Sequence, residues 1–395
     1  MGSSDSPTRT WLIVAGLALG TAISNGFARF AYGLILPAMR DDLGWTYTQA
    51  GWINTANAIG YLAGALLGLA MINRLGAARL FNVGMVFIAL ALFCSGLTRD
   101  FWLLTFWRVV AGIGGAPVFI AAGALASALF TDHPSRNALA IAVCLAGGGG
   151  AGMFLSGVAI PVVLERWTVS AWPQVWMLLG VASAVAIWPS WLATRSLHSP
   201  AGQQETDSLD WSSVRPVMPA LLSYGLFGVG YIVYLTFLVA WMKNQGAQPL
   251  LVALTWAVIS IMVIASPFIW RSVLARAQKG GALFLACLTS GVAVFLPLLL
   301  PTTVGIVLSA ALFGGSFFIA PTAATSFSRK RFPASQWGGA MALFTVVFAA
   351  GQIIGPVAAG ALADSMGDVT PGLVFAGAVL LLSAITALMQ RAVRS

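Results

Sequence analysis

Twelve apolar runs, each long enough to cross a bilayer and each ended by a short polar break, limit what this chain can fold into more than anything else in it. A spanning helix needs about 20 predominantly apolar residues. Hydrocarbon offers backbone N–H and C=O groups no water, so such runs must close their hydrogen bonds internally, as helices. The runs cover residues 11–38, 50–72, 77–97, 101–130, 137–164, 172–194, 216–242, 250–273, 281–300, 304–328, 335–363 and 372–390. The stretch 195–215, with Pro200, Gly202 and three acids, divides them six and six. The expected organisation is an N-terminal six-helix bundle over 1–194, a cytoplasmic linker over 195–215 and a C-terminal six-helix bundle over 216–395. The first run is too long, and too polar in its middle, for a cleaved signal peptide.

Charge supports the same count. Charged residues make up 8% of the 395 and hydrophobic ones 59%, against about 25% charged in soluble domains. With a mean hydropathy of +0.90, this is an all-α integral membrane protein. A net charge of +9 would suggest nucleic acid in a soluble chain, but here the basic residues sit in short loops and report topology. With both termini cytoplasmic, only Arg40, Arg99, Arg166 and Lys243 fall in outer loops and only Arg29 and Arg108 within spans; the other fourteen of the 20 Lys and Arg lie inside. One span more or fewer would scramble that asymmetry. The 43 glycines suit helices that approach closely, and Cys94, Cys144 and Cys287 read as core residues.

Arg29 stands in the middle of the first run, in Ser24-Asn25-Gly26-Phe27-Ala28-Arg29-Phe30-Ala31-Tyr32. A basic residue at that depth costs about 2.5–3.5 kcal/mol and is usually aimed at a partner or a wet cavity. Asn25 lies one turn before it on the same face. Arg29 either meets a ligand or bonds loose carbonyls beside Gly26 and stabilises a bend. Arg108 lies at similar depth, about 10–12 Å from the outer end of its own helix. All 11 acids fall in loops or at helix ends, and His133 and His198 lie on the cytoplasmic side. Two cations at one level without an acid predict an anionic ligand, since a planar guanidinium fits a carboxylate or phosphate; alternatively, Arg108 braces the first helix. Asn54, Asn57 and Tyr61 on the second span, Tyr231 and Tyr234 on the seventh and Gln352 on the eleventh are further substrate-binding candidates, each equally readable as an interhelical hydrogen bond.

The halves repeat at an offset near 200 residues: Gly114-Gly115 against Gly314-Gly315, Pro134-Ser135 against Pro333-Ala334-Ser335, and the glycines from Gly147 to Gly157 against those from Gly351 to Gly360. Paired six-helix repeats are the sequence form of a transporter rocking about a midplane site. Leu36-Pro37 through Asp41-Asp42 to Thr46-Tyr47-Thr48-Gln49-Ala50-Gly51 resembles the crossing between helices 1 and 2 of the major facilitator superfamily, and Arg108-Val109-Val110-Ala111-Gly112-Ile113-Gly114 resembles its helix 4 pattern. Thr46 with Gln49 also forms a capping box. Arg29-Phe30-Ala31-Tyr32 and Leu36-Pro37, with Asn54, Asn57 and Gly60-Tyr61, are similar to the YbfB/YjiJ-like branch. The resemblance implies two pseudo-symmetric bundles, with helices 1, 4, 7 and 10 lining a central cavity. It also implies a gating loop at Asn73-Arg74-Leu75-Gly76-Ala77-Ala78-Arg79, where Asn73 replaces the usual acid and weakens the case for a salt-bridge latch. The antiporter Gly-Pro motif is missing from helix 5, which has Ala159-Ile160-Pro161; Gly355-Pro356 lies in helix 11.

The expected function is secondary active transport of a small organic anion across a bacterial inner membrane, by rocker-switch alternating access. The alternative is an exporter of hydrophobic drugs, metabolites or lipids, with Arg29 and Arg108 structural and Phe344, Phe348 and the helix 7 tyrosines forming an aromatic pocket. Enzymatic chemistry would need paired acids, a nucleophile with its base or metal ligands at bilayer depth. The expected partners are the substrate and the bilayer, with no cofactor, no metal, no nucleic acid and a monomeric state. Coupling to protons would run through the substrate or a boundary acid; otherwise transport is uncoupled.

Overall fold

The computed structural model describes residues 7–195, 197, 210–277 and 280–390, so most of the expected linker 195–215 lies outside the described residues. Twelve helices in it are long and apolar enough to span a membrane: α1 (Thr8–Leu43), α2 (Tyr47–Ile72), α3 (Ala77–Ser95), α4 (Phe101–Ser127), α5 (Pro134–Trp167), α6 (Trp172–Thr194), α7 (Trp211–Asn244), α8 (Pro249–Ile269), α9 (Gly281–Leu299), α10 (Thr303–Arg331), α11 (Trp337–Met366) and α12 (Thr370–Leu388). Among the described residues there is no strand. The observed helices overrun several predicted spans by a few residues, most at the end of α1 and the start of α7. Hydropathy marks the hydrocarbon slab, whereas helical bonding continues through Met39, Arg40, Asp41 and Asp42 into the interface.

The chain separates into two compact units. The first comprises Met1–Leu43 and Ala56–Gly202, the second Gly44–Thr55 and Gln203–Ser395. The start of α2, expected in the N-terminal bundle, therefore packs in the second unit. Within the first unit α1 packs on α5 and α6, and α3 on α4 and α6. Within the second, α7 packs on α11 and α12, and α9 on α10 and α12. The pairings match helix for helix at the repeat offset, so the internal duplication read from glycines and prolines is also a duplication of packing.

Close approach is bought with glycine. A Cβ on Gly26 of α1 would land on the backbone of Gly152 in α5, and one on Gly152 would land on Ala22. The same holds where Gly60 of α2 meets Val109 of α4 and Gly112 of α4 meets Asn57 of α2. Two of these helices also change register. Ala22–Phe30 of α1 is π-helical, with the Ala31 N–H reaching back to the Gly26 carbonyl, and so is Val143–Gly147 of α5. The Thr21 hydroxyl lies between the carbonyls of Ala18 and Cys144, linking the two stretches. π-bulges concentrate at functional sites, and this one carries Asn25 and Arg29.

The capping box at the start of α2 is formed. The Thr46 N–H donates to Gln49 Oε1 at 3.0 Å, and the Gln49 N–H to Thr46 Oγ1 at 3.2 Å.

Candidate functional site

In the first unit, the π-helical stretch of α1 buries Asn25 and, one turn on, Arg29. The Arg29 guanidinium lies 4.6 Å from the ring centroid of Tyr61 and 5.7 Å from that of Phe30. Tyr61 stands one turn after Asn57 on α2, and the Asn57 amide donates to the Arg108 carbonyl at 3.1 Å. That bond and the Gly112 contact hold α2 against α4. The Ser24 hydroxyl likewise ties α1 to α4 through the Gly115 carbonyl, at 2.8 Å. Asn25, Arg29, Asn57, Tyr61 and Arg108 therefore come together within one unit, on three helices locked by glycine contacts and side-chain-to-carbonyl bonds.

Arg108 is 1% exposed. Its guanidinium sits 5.1 Å from the Trp176 ring centroid and 5.4 Å from that of Tyr32, so it does pack on α1, as a brace would. Its Nε, Nη1 and Nη2 nonetheless find no hydrogen-bond partner among the described residues. Removing an ion from water costs several kcal/mol, and each aromatic face returns about 0.5–2 kcal/mol. Five N–H donors thus remain without a hydrogen-bond partner among the described residues. Tyr32 and Trp176 were not singled out as site residues by the sequence. Tyr32 stands in the stretch that carries Arg29, but nothing in the sequence alone points Trp176 at Arg108.

In the second unit, the Asn54 amide donates to the Thr236 hydroxyl on α7. Tyr234 and Ser309 hydroxyls meet at 2.6 Å, and Ser309 donates on to the Ala293 carbonyl, also at 2.6 Å, so this tyrosine links α7 to α10 and α9. Tyr231 lies in a run of near-parallel rings, 5.1 Å from Phe227, 5.5 Å from Phe348 and 6.0 Å from Phe317. Phe348 continues the stack to Tyr224 at 4.5 Å and 8°, and Phe344 adjoins Tyr224 at 6.1 Å. The aromatic cluster of the exporter alternative is thus present, with its rings stacked on one another. Gln352 of α11 is buried.

At the loop between α2 and α3, Gly76 has φ +80°, a left-handed conformation that glycine adopts without strain. Arg74 and Arg79 are exposed, and the side chain of Asn73 lies outside the described residues. Among the described residues no three His, Cys, Asp or Glu side chains cluster as metal ligands.

Comparison with known proteins gives a consistent picture. The family model described as an uncharacterised MFS-type transporter, YbfB, matches residues 21–388. Puromycin resistance protein pur8 of Streptomyces alboniger is 30% identical over 170 residues, 41% of this chain and 32% of that protein. The 3-(3-hydroxy-phenyl)propionate transporter of Escherichia coli K12 is 28% identical over 183 residues, 42% of this chain and 45% of that one. A putative metabolite transport protein of Haemophilus influenzae is 26% identical over 190 residues, 48% and 44% of the two chains. The matches thus span less than half the length of these curated relatives. Among solved structures, a POT family transporter in complex with a thioalcohol-conjugated peptide aligns with TM-score 0.74 at 14% identity over 95% of both chains. A bacterial homologue of the human lysosomal transporter Spinster, inward-facing, aligns with TM-score 0.72 at 15% identity over 99% of this chain and 100% of that one. At such identities the likeness is one of fold.

Proposed function

The chain belongs to the YbfB-type family of major facilitator transporters, and on that premise we propose that it carries a small organic anion across the membrane by alternating access, both termini on the cytoplasmic side. It is a multi-pass membrane transporter and not an enzyme. The observation that carries the anion reading is Arg108: a fully buried guanidinium whose nitrogens have no hydrogen-bond partner among the described residues, in the same unit as a second buried arginine. A carboxylate offered to Arg108 would take two parallel N–H donors, and the charge of Arg29 would add to the attraction. No Asp, Glu or His among the described residues lies deep in a span, so the counter-charge is the guest's. The Escherichia coli relative is named for a phenylpropionate, an aromatic carboxylate, which fits this reading. A coupled proton would enter with the substrate or through an acid at a helix end.

A second reading, export of hydrophobic compounds, is favoured by the stacked rings of the second unit and by the puromycin-resistance relative. Thermal unfolding of the purified protein separates the two. Organic anions, neutral aromatics and cations are screened against the native chain, Arg29→Ala and Arg108→Ala. A ligand at a hundredfold excess over its Kd stabilises by about 2.7 kcal/mol. Stabilisation by anions that both variants lose supports the anion carrier; stabilisation by neutral or cationic aromatics alone, unchanged in both variants, sinks it.

A further inference from the structure

We propose that the end of the second unit where α8 leads to α9 and α10 leads to α11 is a binding surface for anionic phospholipid headgroups. Six basic residues gather at this end of the unit. Arg215 opens α7, Arg271 and Arg276 lie between α8 and α9, and Arg329, Lys330 and Arg331 close α10. The two connections are in contact, because Lys330 Nζ donates to the Ala277 carbonyl at 2.8 Å. The Gln390 amide donates to the Pro216 carbonyl at 3.1 Å, placing the start of α7 and the end of α12 together.

No acid occurs in the sequence between Asp210 and Asp364. Asp364 lies at the far end of α11, and Asp210 accepts a hydrogen bond from the Ser212 hydroxyl. None of the six cations makes an ion pair among the described residues. Arg215, Arg271, Arg276, Arg329 and Lys330 are exposed. These six cations lie close together and carry no ion pair among the described residues.

Its surroundings suit a lipid and not a soluble anion. Leu274, Leu283 and Phe327 line a recess beside Lys330, which gives the basic rim an apolar floor. Phe268 and Ile269, immediately before Trp270 and Arg271, are 59% and 55% exposed. Trp270 anchors that turn, its Nε1 donating to the Gly315 carbonyl at 2.7 Å, and Arg329 lies 5.6 Å from the ring of Trp337. Exposed apolar side chains, a tryptophan on each connection and cations without an ion pair among the described residues are the groups that acyl chains, the interface and lipid phosphates favour.

The test uses the purified full-length chain in detergent micelles, titrated with phosphatidylglycerol or phosphatidylcholine, with bound lipid counted by native mass spectrometry. Phosphatidylglycerol should be retained preferentially, and high salt should weaken it. Each neutralised cation should lower its affinity about fivefold, in Arg276→Gln alone and more so in Arg276→Gln/Lys330→Gln/Arg331→Gln. The single variant alters one exposed side chain, so it gives a reading even if the triple variant does not fold. Arg136→Gln/Arg195→Gln, in the first unit, should retain phosphatidylglycerol like the native chain. Equal retention of both lipids, undiminished retention in Arg276→Gln, or an equal loss in the first-unit control would overturn the proposal. So would displacement of the lipid by millimolar inorganic phosphate or by an acidic peptide, which would assign the surface to a free anion or a protein.

Discussion

Asp364, near the end of α11, accepts both the backbone N–H (2.9 Å) and the hydroxyl of Thr48, in the first turn of α2. Its other oxygen accepts the Tyr47 N–H at 2.7 Å. The first N–H groups of a helix have no partner within it; here Asp364 takes two and Thr46 takes that of Gln49. A carboxylate from a distant part of the chain thus serves as the cap, placed where the helix dipole favours a negative charge.

Removing that carboxylate should cost stability in proportion to the capping bonds lost. Asp364→Ala is expected to destabilise by about 1 kcal/mol, in the range of N-cap deletions. Thr48→Ala, which leaves both backbone bonds in place, should cost less. Thermal unfolding in one detergent measures both, and a native-like midpoint for Asp364→Ala would show that the cap does not form in the purified protein.

Asp368, in the turn after α11, makes a pH-dependent contribution to stability. Burial works to raise its pKa, but hydrogen bonds from the Thr370 hydroxyl, the Val369 and Thr370 N–H groups and the Asn244 amide outweigh it and hold the carboxyl below its ordinary value. The folded state therefore binds this proton less readily than the unfolded chain, in which an Asp titrates near pH 3.9. The contribution is in place above that pH and is lost as pH falls further, through the lower folded value. The gap between Asp368→Asn and the native midpoint should be widest at neutral pH and should narrow as the pH falls below about 3.9; a gap that does not narrow on acidification refutes the assignment.

The sequence made the spans readable because bilayer thickness imposes one length on every apolar run, and the Thr46–Gln49 box because its partners are three residues apart. It could not show that Gly44–Thr55 packs with the second unit, since hydropathy is blind to which neighbour a helix chooses. Nor could it place Trp176 over Arg108: that contact joins α6 to α4, and no periodicity links them. Arg29 and Arg108 were visible because a charge in hydrocarbon is rare enough to notice singly. Asn54 and Tyr234 looked the same as Asn57 in sequence, and only coordinates assign the first two to hydroxyl partners on neighbouring helices. The π-helical stretch of α1 left no compositional trace beyond Gly26.

Glycine at 112 should be indispensable to the arrangement around Arg108. A Cβ there would strike the Asn57 carbonyl and the Gly60 backbone, forcing α2 away from α4 and carrying Asn57 and Tyr61 with it. Gly112→Val is expected to cost about 1–3 kcal/mol, the usual price of overpacking, and to abolish stabilisation by anions. Gly68→Ala is the control, because its Cβ would meet only Pro117 at 3.6 Å and a helical Gly→Ala change gains up to about 1 kcal/mol. Equal midpoints for the two variants would mean that α2 and α4 are not tightly apposed.

Arg108→Met separates ligand recognition from bracing by the sign of its effect. If the guanidinium were a brace with satisfied donors, losing it should destabilise by about 3–5 kcal/mol, as when one partner of a buried pair is removed. Its nitrogens have no hydrogen-bond partner among the described residues, so the ligand-free protein carries a desolvation cost that the Tyr32 and Trp176 rings offset only in part. Replacing such a charge with an apolar side chain of similar length is neutral or stabilising, by up to about 4 kcal/mol. Arg108→Met should therefore unfold at the native temperature or above it without ligand, and show no shift with anions. Arg108→Lys keeps the charge but not the planar fork, and should give a reduced shift. An early-melting Arg108→Met that still responds fully to anions would make this arginine a strut between α1, α4 and α6 and leave Arg29 as the recognition residue.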